Sequence, residues 1–541
     1  MSLPAGGAMA GPEDMTRSVP ATAGPEIQEK FRTFGLNYRW LLLFCMLSGS
    51  MATMLAATTI NVALPAIIGA FGLTQDQAQW MSTAFLASST IAMLANAWAV
   101  SAFGARATYL SALVVFLIGS VLGTMSGNYG LLILSRAMQG VAAGLLQPMS
   151  MLMIFQTFPD QLRGRAIGIF SIGVVLAPAF GPALGGYAVD LASWRLVFIA
   201  TLPLGLLALP LAAILMPDRH TAEAAKRPPL DLAGLLLMAL TIIPFLSFIA
   251  NGDRDGWGSD ISLFRAALSA ASAMMFIWWE LRHPFPALNL RVFLHPQFAL
   301  AGVVIAGTGT AIYGSTYLIP IFVQMVQGYS PTAAGIMMIP AGLAMVIGFP
   351  LAGRLTDTMD ARLLIAFGIA AFGLAIYLLA GVTASTPYWT LVVWIILSRI
   401  GISFCMTPSN TSAIRGVPPT LLASATGAAS FLMQIGGSLG VTVLAVLLQR
   451  RMVFHGEHLA SGMTEANSEM LYWHQHFVME ATRAGIPMRE AFSEAFRPIS
   501  QQIIQDAMVY AFRDSFFVCA IGFAGLFLFV ALMPRLTSHH A

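Results

Sequence analysis

Charged residues are scarce in this chain. Of its 541 residues only 9% are Asp, Glu, Lys or Arg, whereas 57% are hydrophobic. Soluble globular domains carry about a quarter charged residues, so this composition argues against a soluble protein and favours the lipid bilayer as its environment. A net charge of +3, spread over so long a chain, also argues against a nucleic-acid-binding surface.

Several functional signals are also missing. The three cysteines (Cys45, Cys405 and Cys519) lie inside apolar runs, so we interpret them as small core residues and predict no disulfide framework, metal site or cofactor. No glycine-rich loop of the Walker type occurs, which argues against ATP as the energy source. Residues 1–36 lack the apolar core of a cleavable signal, and we expect them to form a disordered cytoplasmic tail.

Long apolar runs recur between Leu41 and Met533. Each is long enough to cross a hydrocarbon core of about 30 Å, which needs roughly 20 helical residues. Because backbone groups in lipid must be satisfied within the segment, the runs are predicted to be helices. We predict an all-α membrane protein with fourteen transmembrane helices, near residues 41–65, 77–98, 107–126, 131–155, 165–189, 195–216, 231–250, 262–281, 298–325, 333–352, 362–381, 388–411, 422–448 and 515–533.

The distribution of basic residues predicts the orientation. Lys and Arg concentrate in the tails and in the connections on the same side as the tails. The short connections on the other side hold only Arg195, Arg254 and Arg265. By the positive-inside rule, we expect both termini to be cytoplasmic.

The chain also repeats itself. Leu134-Ser135-Arg136 in the first half returns as Leu397-Ser398-Arg399 in the second half. Parallel repeats of this kind are typical of transporters whose substrate site lies between the two halves. We divide the chain into a tail (1–36), an N-terminal six-helix bundle (37–217), a linker with two inserted helices (218–297), a C-terminal six-helix bundle (298–535) and a second tail (536–541).

The C-terminal bundle contains one long periplasmic loop, residues 450–513. Within this loop the stretch 499–512 has helical spacing of its apolar residues. This stretch could be a helix that docks a partner or lies in the membrane interface. The alternative is a helix that packs over the outer mouth of the bundle.

Five short motifs occur together in the chain. They are TTINVALP at 58–65, RAMQG at 136–140, PAFGPALGG at 178–186, SWR at 193–195 and GRLTD at 353–357. With them the chain resembles the major facilitator superfamily over residues 38–535, and specifically its fourteen-helix drug:proton antiporter branch. The resemblance implies the major facilitator fold, with two six-helix bundles plus an inserted helix pair.

The resemblance also implies functions for individual residues. The fifth span carries the antiporter motif, whose prolines bend the helix and whose glycines allow close helix packing. Arg136 lies about 10 Å into the bilayer, where a charge costs roughly 2.5–3.5 kcal/mol, so this residue is expected to be functional. The resemblance implies that its role is in proton transfer. Ordinary packing and snorkelling to the membrane surface are the alternatives. The antiporter motif comprises Gly173, Pro178, Gly181, Pro182, Gly185 and Gly186, and the predicted coupling and gating residues are Arg136, Asp357, Arg362, Arg399 and Asp514.

Polar side chains inside the spans are candidates for substrate contact, because each is costly to leave unsatisfied in hydrocarbon. Hydrogen bonding between helices, without substrate contact, is the alternative for each. The predicted substrate-binding residues are Asn61, Gln139, Gln147, Tyr313, Asn410 and Gln434.

Two departures from the family pattern bear on the mechanism. Ala56 stands where most family members have an aspartate in the first span, and no Asp or Glu lies in the middle of any predicted span. Proton coupling therefore needs either an acid at a span edge (Asp231, Asp357 or Asp514) or a water-mediated route near Arg136. The remaining alternative is that the transporter is not coupled to protons. Without a buried carboxylate as counter-charge, we expect neutral or anionic lipophiles to be preferred over dications.

The sequence thus predicts a secondary transporter of the bacterial inner membrane that exports lipophilic small molecules, most simply in exchange for protons. A periplasmic adaptor and an outer-membrane channel are candidate partners. An uncoupled facilitator or a transporter-derived sensor remains an alternative. A membrane enzyme acting on lipids is less favoured, because no His/Asp/Ser cluster lies near one membrane face.

Overall fold

The computed structural model describes residues 25–217, 231–284, 286–418, 421–461, 468–483, 487–488 and 496–534. Within these ranges the secondary structure is helical. The N-terminal half contains α1 (Pro25–Phe34), α2 (Tyr38–Phe71), α3 (Gln75–Ala78), α4 (Trp80–Phe103), α5 (Ala105–Thr124), α6 (Tyr129–Thr157), α7 (Asp160–Leu191), α8 (Leu196–Ala200) and α9 (Leu202–Leu215).

An inserted pair of helices follows, and then the C-terminal half. The pair consists of α10 (Leu232–Asp255) and α11 (Asp260–Arg282), which pack against each other. The C-terminal half contains α12 (Pro296–Met325), α13 (Pro331–Ile336), α14 (Ile339–Thr358), α15 (Ala361–Leu379), α16 (Tyr388–Arg415), α17 (Leu422–Ser461), α18 (Ser468–Arg483), α19 (Phe496–Ala524) and α20 (Leu526–Leu532).

In the described residues, 12 helical segments are long and apolar enough to cross a membrane. They do not include α4 and α7, which have 24 and 32 residues and pack inside the N-terminal half against α6 and α2. Two halves of similar helix order and an inserted pair are therefore present. A count of fourteen crossings stays a prediction.

Glycine lets neighbouring helices approach until their backbones touch. A Cβ added to Gly368 on α15 would lie 2.7 Å from the carbonyl oxygen of Gly401 on α16, and one added to Gly401 would lie 2.7 Å from the carbonyl oxygen of Gly368. No real side chain tolerates such a distance. Because apolar side chains gain little by leaving lipid for another helix, small residues of this kind are what bring membrane helices together.

The N-terminal tail is shorter than predicted. Residues 1–24 lie outside the described residues, but residues 25–34 form α1, which packs on the N-terminal half through the buried side chains of Ile27 and Phe31. The Lys30 ammonium donates a hydrogen bond to the carbonyl oxygen of Ile214 at 2.8 Å. The expectation of disorder up to residue 36 was wrong for this segment, because its amphipathic pattern gives it a face to bury.

The predicted loop 450–513 also differs from the structure. Helix α17 continues without a break to Ser461, and its 40 residues span about 60 Å, twice the thickness of a hydrocarbon core. Residues 499–512 belong to α19, which runs on to Ala524, so they form neither a separate docking helix nor a lid. Instead α17 and α19 pack side by side, and α17 is long enough to extend beyond one face of a bilayer.

The predicted orientation can be tested on α17. In a variant with alanine at all three native cysteine positions, Glu457→Cys should react with a membrane-impermeant maleimide added to spheroplasts. Val446→Cys, 11 residues earlier on the same helix and only 7% exposed, should not react. Reaction of Glu457→Cys in inverted vesicles alone would place the α17 extension in the cytoplasm and reverse the orientation.

Candidate functional site

A cavity of about 220 Å³ lies between the two halves. Helices α2, α4, α6 and α7 line it from the N-terminal half, and α12, α14, α16 and α17 line it from the C-terminal half. Methionine is the most frequent lining residue, and its flexible thioether adapts to ligands of different shape. The lining methionines are Met54, Met93, Met338, Met345, Met406 and Met433.

Four of the six predicted substrate-binding residues line this cavity, namely Gln147, Tyr313, Asn410 and Gln434. Asn410 donates to the carbonyl oxygen of Met406 at 3.0 Å. Gln147 and Tyr313 make no side-chain hydrogen bond to any described residue, so their polar atoms are available to a ligand.

Gln434 joins the two halves across the cavity. Its Nε2 donates to the hydroxyl oxygen of Ser89 at 2.7 Å, while its Oε1 is buried without a partner among the described residues. A buried carbonyl oxygen without a donor is costly, so this atom favours a ligand or water with a donor group.

Asn61 and Gln139 are not among the residues that line the cavity. Asn61 accepts a hydrogen bond from the Ser82 hydroxyl at 2.8 Å, and Gln139 donates to the hydroxyl oxygen of Ser120 at 2.9 Å. Both are buried within the N-terminal half. The geometry therefore favours the alternative considered for these two residues, which is hydrogen bonding between helices.

Arg136 is fully enclosed within the N-terminal half. Its guanidinium donates to the carbonyl oxygens of Met81 and Ala56 at 2.8 and 2.9 Å and to Gln139 Oε1 at 2.7 Å, and it lies 4.7 Å from the ring centroid of Phe85. Its Nη2 has no hydrogen-bond partner among the described residues. With alanine at position 56, a backbone carbonyl rather than a carboxylate faces this arginine.

Arg399 occupies the repeat-related position in the C-terminal half, but it lines the cavity and is 6% exposed. It donates to the hydroxyl oxygens of Ser315 and Thr316, both at 3.0 Å. Sequence reasoning identified Arg399 but not these two partners. The sequence feature that could have indicated these partners is a pair of adjacent hydroxyl residues in the middle of an apolar span.

No Asp or Glu is found among the described residues that line the cavity, where Arg399 is the one ionisable side chain with a fixed charge. The absence of acids that the sequence indicated for the spans therefore extends to the walls of this cavity.

The antiporter motif of α7 packs on α2. A Cβ on Gly173 would overlap the side chain of Leu47, one on Gly181 would overlap the Thr58 hydroxyl, and one on Gly185 would lie 2.6 Å from the carbonyl oxygen of Thr59. The two prolines, Pro178 and Pro182, line the cavity.

The last glycine of the motif, Gly186, contacts the other half. A Cβ on Gly186 would overlap the carbonyl oxygen of Pro331, and one on Gly335 would overlap the carbonyl oxygen of Pro182. Helices α7 and α13 therefore meet backbone to backbone. Sequence reasoning missed Gly335, because no pattern in the sequence distinguishes it from other glycines in the spans. Next to this contact the Asp190 carboxylate accepts a hydrogen bond from the backbone N–H of Thr332 at 2.9 Å.

Further hydrogen bonds between the halves lie at the same end of the bundle or near its middle. Gln75 donates to the Tyr317 hydroxyl at 2.8 Å, and the hydroxyls of Thr83 and Thr442 are 3.1 Å apart. We call the end of the bundle that holds the contacts of Gly186 and Gly335 and the hydrogen bond between Gln75 and Tyr317 the sealed end.

The predicted gating residue Arg362 lies at the opposite end of the bundle. The Arg362 guanidinium pairs with the Asp360 carboxylate at 2.9 Å and donates to the carbonyl oxygen of Met533 at 3.3 Å, which ties the start of α15 to the end of α20. The side chain of Asp357 lies outside the described part of the structure, so its role stays a prediction.

Asp514 lies on α19 at the base of the extension. Its carboxylate is 2.8 Å from His455 Nε2 and 3.4 Å from Arg451 Nε, both on α17. Sequence reasoning missed His455, because α17 was expected to end near residue 448.

These features define a polytopic carrier with a central cavity between two repeated halves. Residues 46–441 match the model of the Major Facilitator Superfamily. The chain belongs to this superfamily, which consists of transporters and not enzymes.

Relatives with similar sequences span nearly the whole chain. The multidrug export protein EmrB of Haemophilus influenzae is 26% identical over 507 residues, covering 92% of this chain and 97% of the relative. EmrB of Escherichia coli K12 is 26% identical over 496 residues, covering 90% and 93%. The uncharacterized MFS-type transporter YhcA of Bacillus subtilis is 27% identical over 476 residues, covering 88% and 89%.

Solved structures show the same fold. A bacterial homolog of the human lysosomal transporter Spinster, in an inward-facing and unoccupied conformation, aligns with a TM-score of 0.58 at 17% identity, over 91% of this chain and 97% of that one. A D-xylose–proton symporter aligns with a TM-score of 0.55 at 14% identity, over 76% and 90%.

The contact between α7 and α13 gives a testable prediction. Gly335→Val should reduce transport by at least about tenfold, because its side chain has to displace the α7 backbone at the sealed end. Transport by purified protein in liposomes is the measurement. Gly168→Val on α7 is the matched control, since a Cβ there meets nothing within 4 Å. Equal activity of the two variants would contradict the proposed role of this contact.

Proposed function

We propose that this protein exports lipophilic small molecules from a bacterial cell across the inner membrane, in exchange for protons. The observation that carries the proposal is the cavity shared by both halves, with methionines and amides on its walls and no carboxylate among its described lining residues. Similarity to relatives named as multidrug export proteins supports the same direction of transport.

The contacts between the halves support alternating access. In the predicted orientation, the sealed end faces the periplasm and the cavity lies toward the cytoplasm. Apart from the hydrogen bond that the Asp190 carboxylate accepts, the contacts there are neutral hydrogen bonds, each worth about 1 kcal/mol, and close glycine packing. Rocking of the halves about the cavity would break these contacts and open the periplasmic side.

Substrate contact is proposed for the four cavity residues Gln147, Tyr313, Asn410 and Gln434. Their amides and hydroxyl supply a small number of orienting hydrogen bonds in a mostly apolar pocket, as is usual for small-molecule sites. Arg136, Asn61 and Gln139 hold the N-terminal half together behind this surface.

Proton exchange is proposed at Asp514 with His455, because the two titratable groups lie 2.8 Å apart at the end that the predicted orientation assigns to the periplasm. Asp357 and Arg362 are proposed to act at the cytoplasmic gate. The α17 extension, about 30 Å beyond the bilayer by its length, is the proposed docking region for a periplasmic adaptor that leads to an outer-membrane channel.

A second candidate, an uncoupled facilitator, is favoured by one observation. No acidic residue was found among the described cavity-lining residues, so substrate and proton would not compete for one carboxylate there. Under this alternative the substrate moves down its own electrochemical gradient.

Efflux from proteoliposomes tests the proposal and separates the two candidates. Liposomes containing the purified protein and loaded with a fluorescent lipophile should release it faster than protein-free liposomes, and an imposed pH gradient should increase the rate. Release that ignores the gradient would support the facilitator. The absence of protein-dependent release for a panel of neutral, anionic and cationic lipophiles would overturn both.

The proton site gives a separate prediction. Asp514→Asn removes the titratable carboxyl but keeps its shape, so efflux should lose most of its response to the pH gradient while substrate binding persists. Asp506→Asn, eight residues earlier on α19 with Gln502 as its hydrogen-bond partner, is the matched control. An unchanged pH response in Asp514→Asn would move the coupling site elsewhere.

A further inference from the structure

Arg399 is a cation without a counter-ion in the described structure. Its two side-chain partners are neutral hydroxyls, and no salt bridge to it is formed by a described residue. Burying a charge is costly unless it is paired, so an occupant that brings a negative charge gains more here than in water.

The two hydroxyls hold the guanidinium but cannot themselves bind an anion. The Ser315 hydroxyl donates to the carbonyl oxygen of Ala311 at 2.5 Å, and the Thr316 hydroxyl donates to that of Ile312 at 2.7 Å. With their protons directed at the helix backbone, both oxygens act as acceptors toward Arg399. This arrangement fixes the orientation of the guanidinium.

A guanidinium carries five N–H donors, and only two hydrogen bonds from Arg399 go to described side chains. The remaining donors are available on a residue that lines the cavity. Tyr313 lies one helical turn before Thr316 on α12, lines the same cavity, and has a hydroxyl without a described partner. Together they offer a planar cation and one neutral donor, which suits a carboxylate or a similar oxyanion.

The rest of the cavity suits an apolar body. Six methionines line the same cavity, and no second cation was found among the described lining residues. A singly charged head with a lipophilic body fits this distribution, whereas a dianion lacks a second partner and a cation is repelled by Arg399.

We propose that Arg399, oriented by Ser315 and Thr316, is the anion-binding group of the cavity and that it selects lipophilic monoanions over their neutral and cationic analogues. This inference rests on the proposed function for its transport consequence, but the binding step can be tested without transport.

The test is equilibrium binding to the purified protein in lipid nanodiscs at pH 7, where a carboxylate is ionised. The probes are a pyrene-labelled fatty carboxylate and its neutral methyl ester. Wild type should prefer the carboxylate. Arg399→Gln should weaken carboxylate binding by about tenfold or more, as expected for the loss of a charge-assisted hydrogen bond, and leave ester binding within about twofold.

Three further variants sharpen this test. Arg399→Lys keeps the charge and should retain part of the preference, and Thr316→Val, which loosens the guanidinium, should give an intermediate value. Arg39→Gln removes a buried arginine that does not line the cavity, and should leave the ratio of the two dissociation constants unchanged. Retained ester binding shows that a variant is folded.

Equal weakening of both probes in Arg399→Gln, or a wild type that binds them equally, would overturn the anion site. Efflux distinguishes this failure from failure of the proposed function. Selective binding without protein-dependent release would contradict the transport proposal but support the anion site. Release of both probes at equal rates, unaffected by Arg399→Gln, would support transport but contradict the anion site.

The membrane potential offers an independent readout in the transport assay. A carboxylate that leaves as an anion carries one more negative charge outward than its ester, whatever number of protons is exchanged. An inside-negative potential should therefore accelerate carboxylate efflux more than ester efflux. Equal acceleration would show that the substrate crosses in its neutral form and would contradict recognition of its charge during transport.

Discussion

A guanidinium buried without a carboxylate is the constraint on which the rest of this structure depends. The internal repeat places one such group in each half, and the two halves accommodate it differently. Arg136 is satisfied by backbone carbonyls and a glutamine inside its own bundle. Arg399 is held by hydroxyls at the wall of the cavity. The same helix position thus serves structure in one half and is open to a ligand in the other.

The interface between the halves follows a related principle, since its described residues make close contact without strong charge pairing. Across α7 and α13, glycines allow backbone contact, and the neighbouring hydrogen bonds join neutral groups except at Asp190. Interfaces of this kind pack closely but cost little to open, because no fully buried ion pair must be broken. A carrier that alternates between two forms needs both properties.

Much of the fold could be predicted from the sequence, because hydrocarbon permits few alternatives to helices. The repeat and the inserted pair follow from apolar runs and from the return of Leu-Ser-Arg. The ends of elements were harder. Helix α17 carries polar residues beyond residue 450, where hydropathy signals a loop, yet helix continues since α19 packs against it. At the site, polar residue type predicted burial, but it could not tell Gln139, which turns toward Ser120, from Gln147, which faces the cavity.

The substitution at position 56 connects these points. An aspartate there would give the N-terminal half a carboxylate close to Arg136, and alanine leaves that arginine bound to the carbonyl oxygen of the same residue. The N-terminal half then presents methionine, threonine and glutamine to the cavity, while the fixed charge comes from the C-terminal half alone. Since the charge that lines a carrier's cavity sets which ions are stabilised there, a cavity whose fixed charge is the Arg399 guanidinium would, under the proposed function, favour anions over cations.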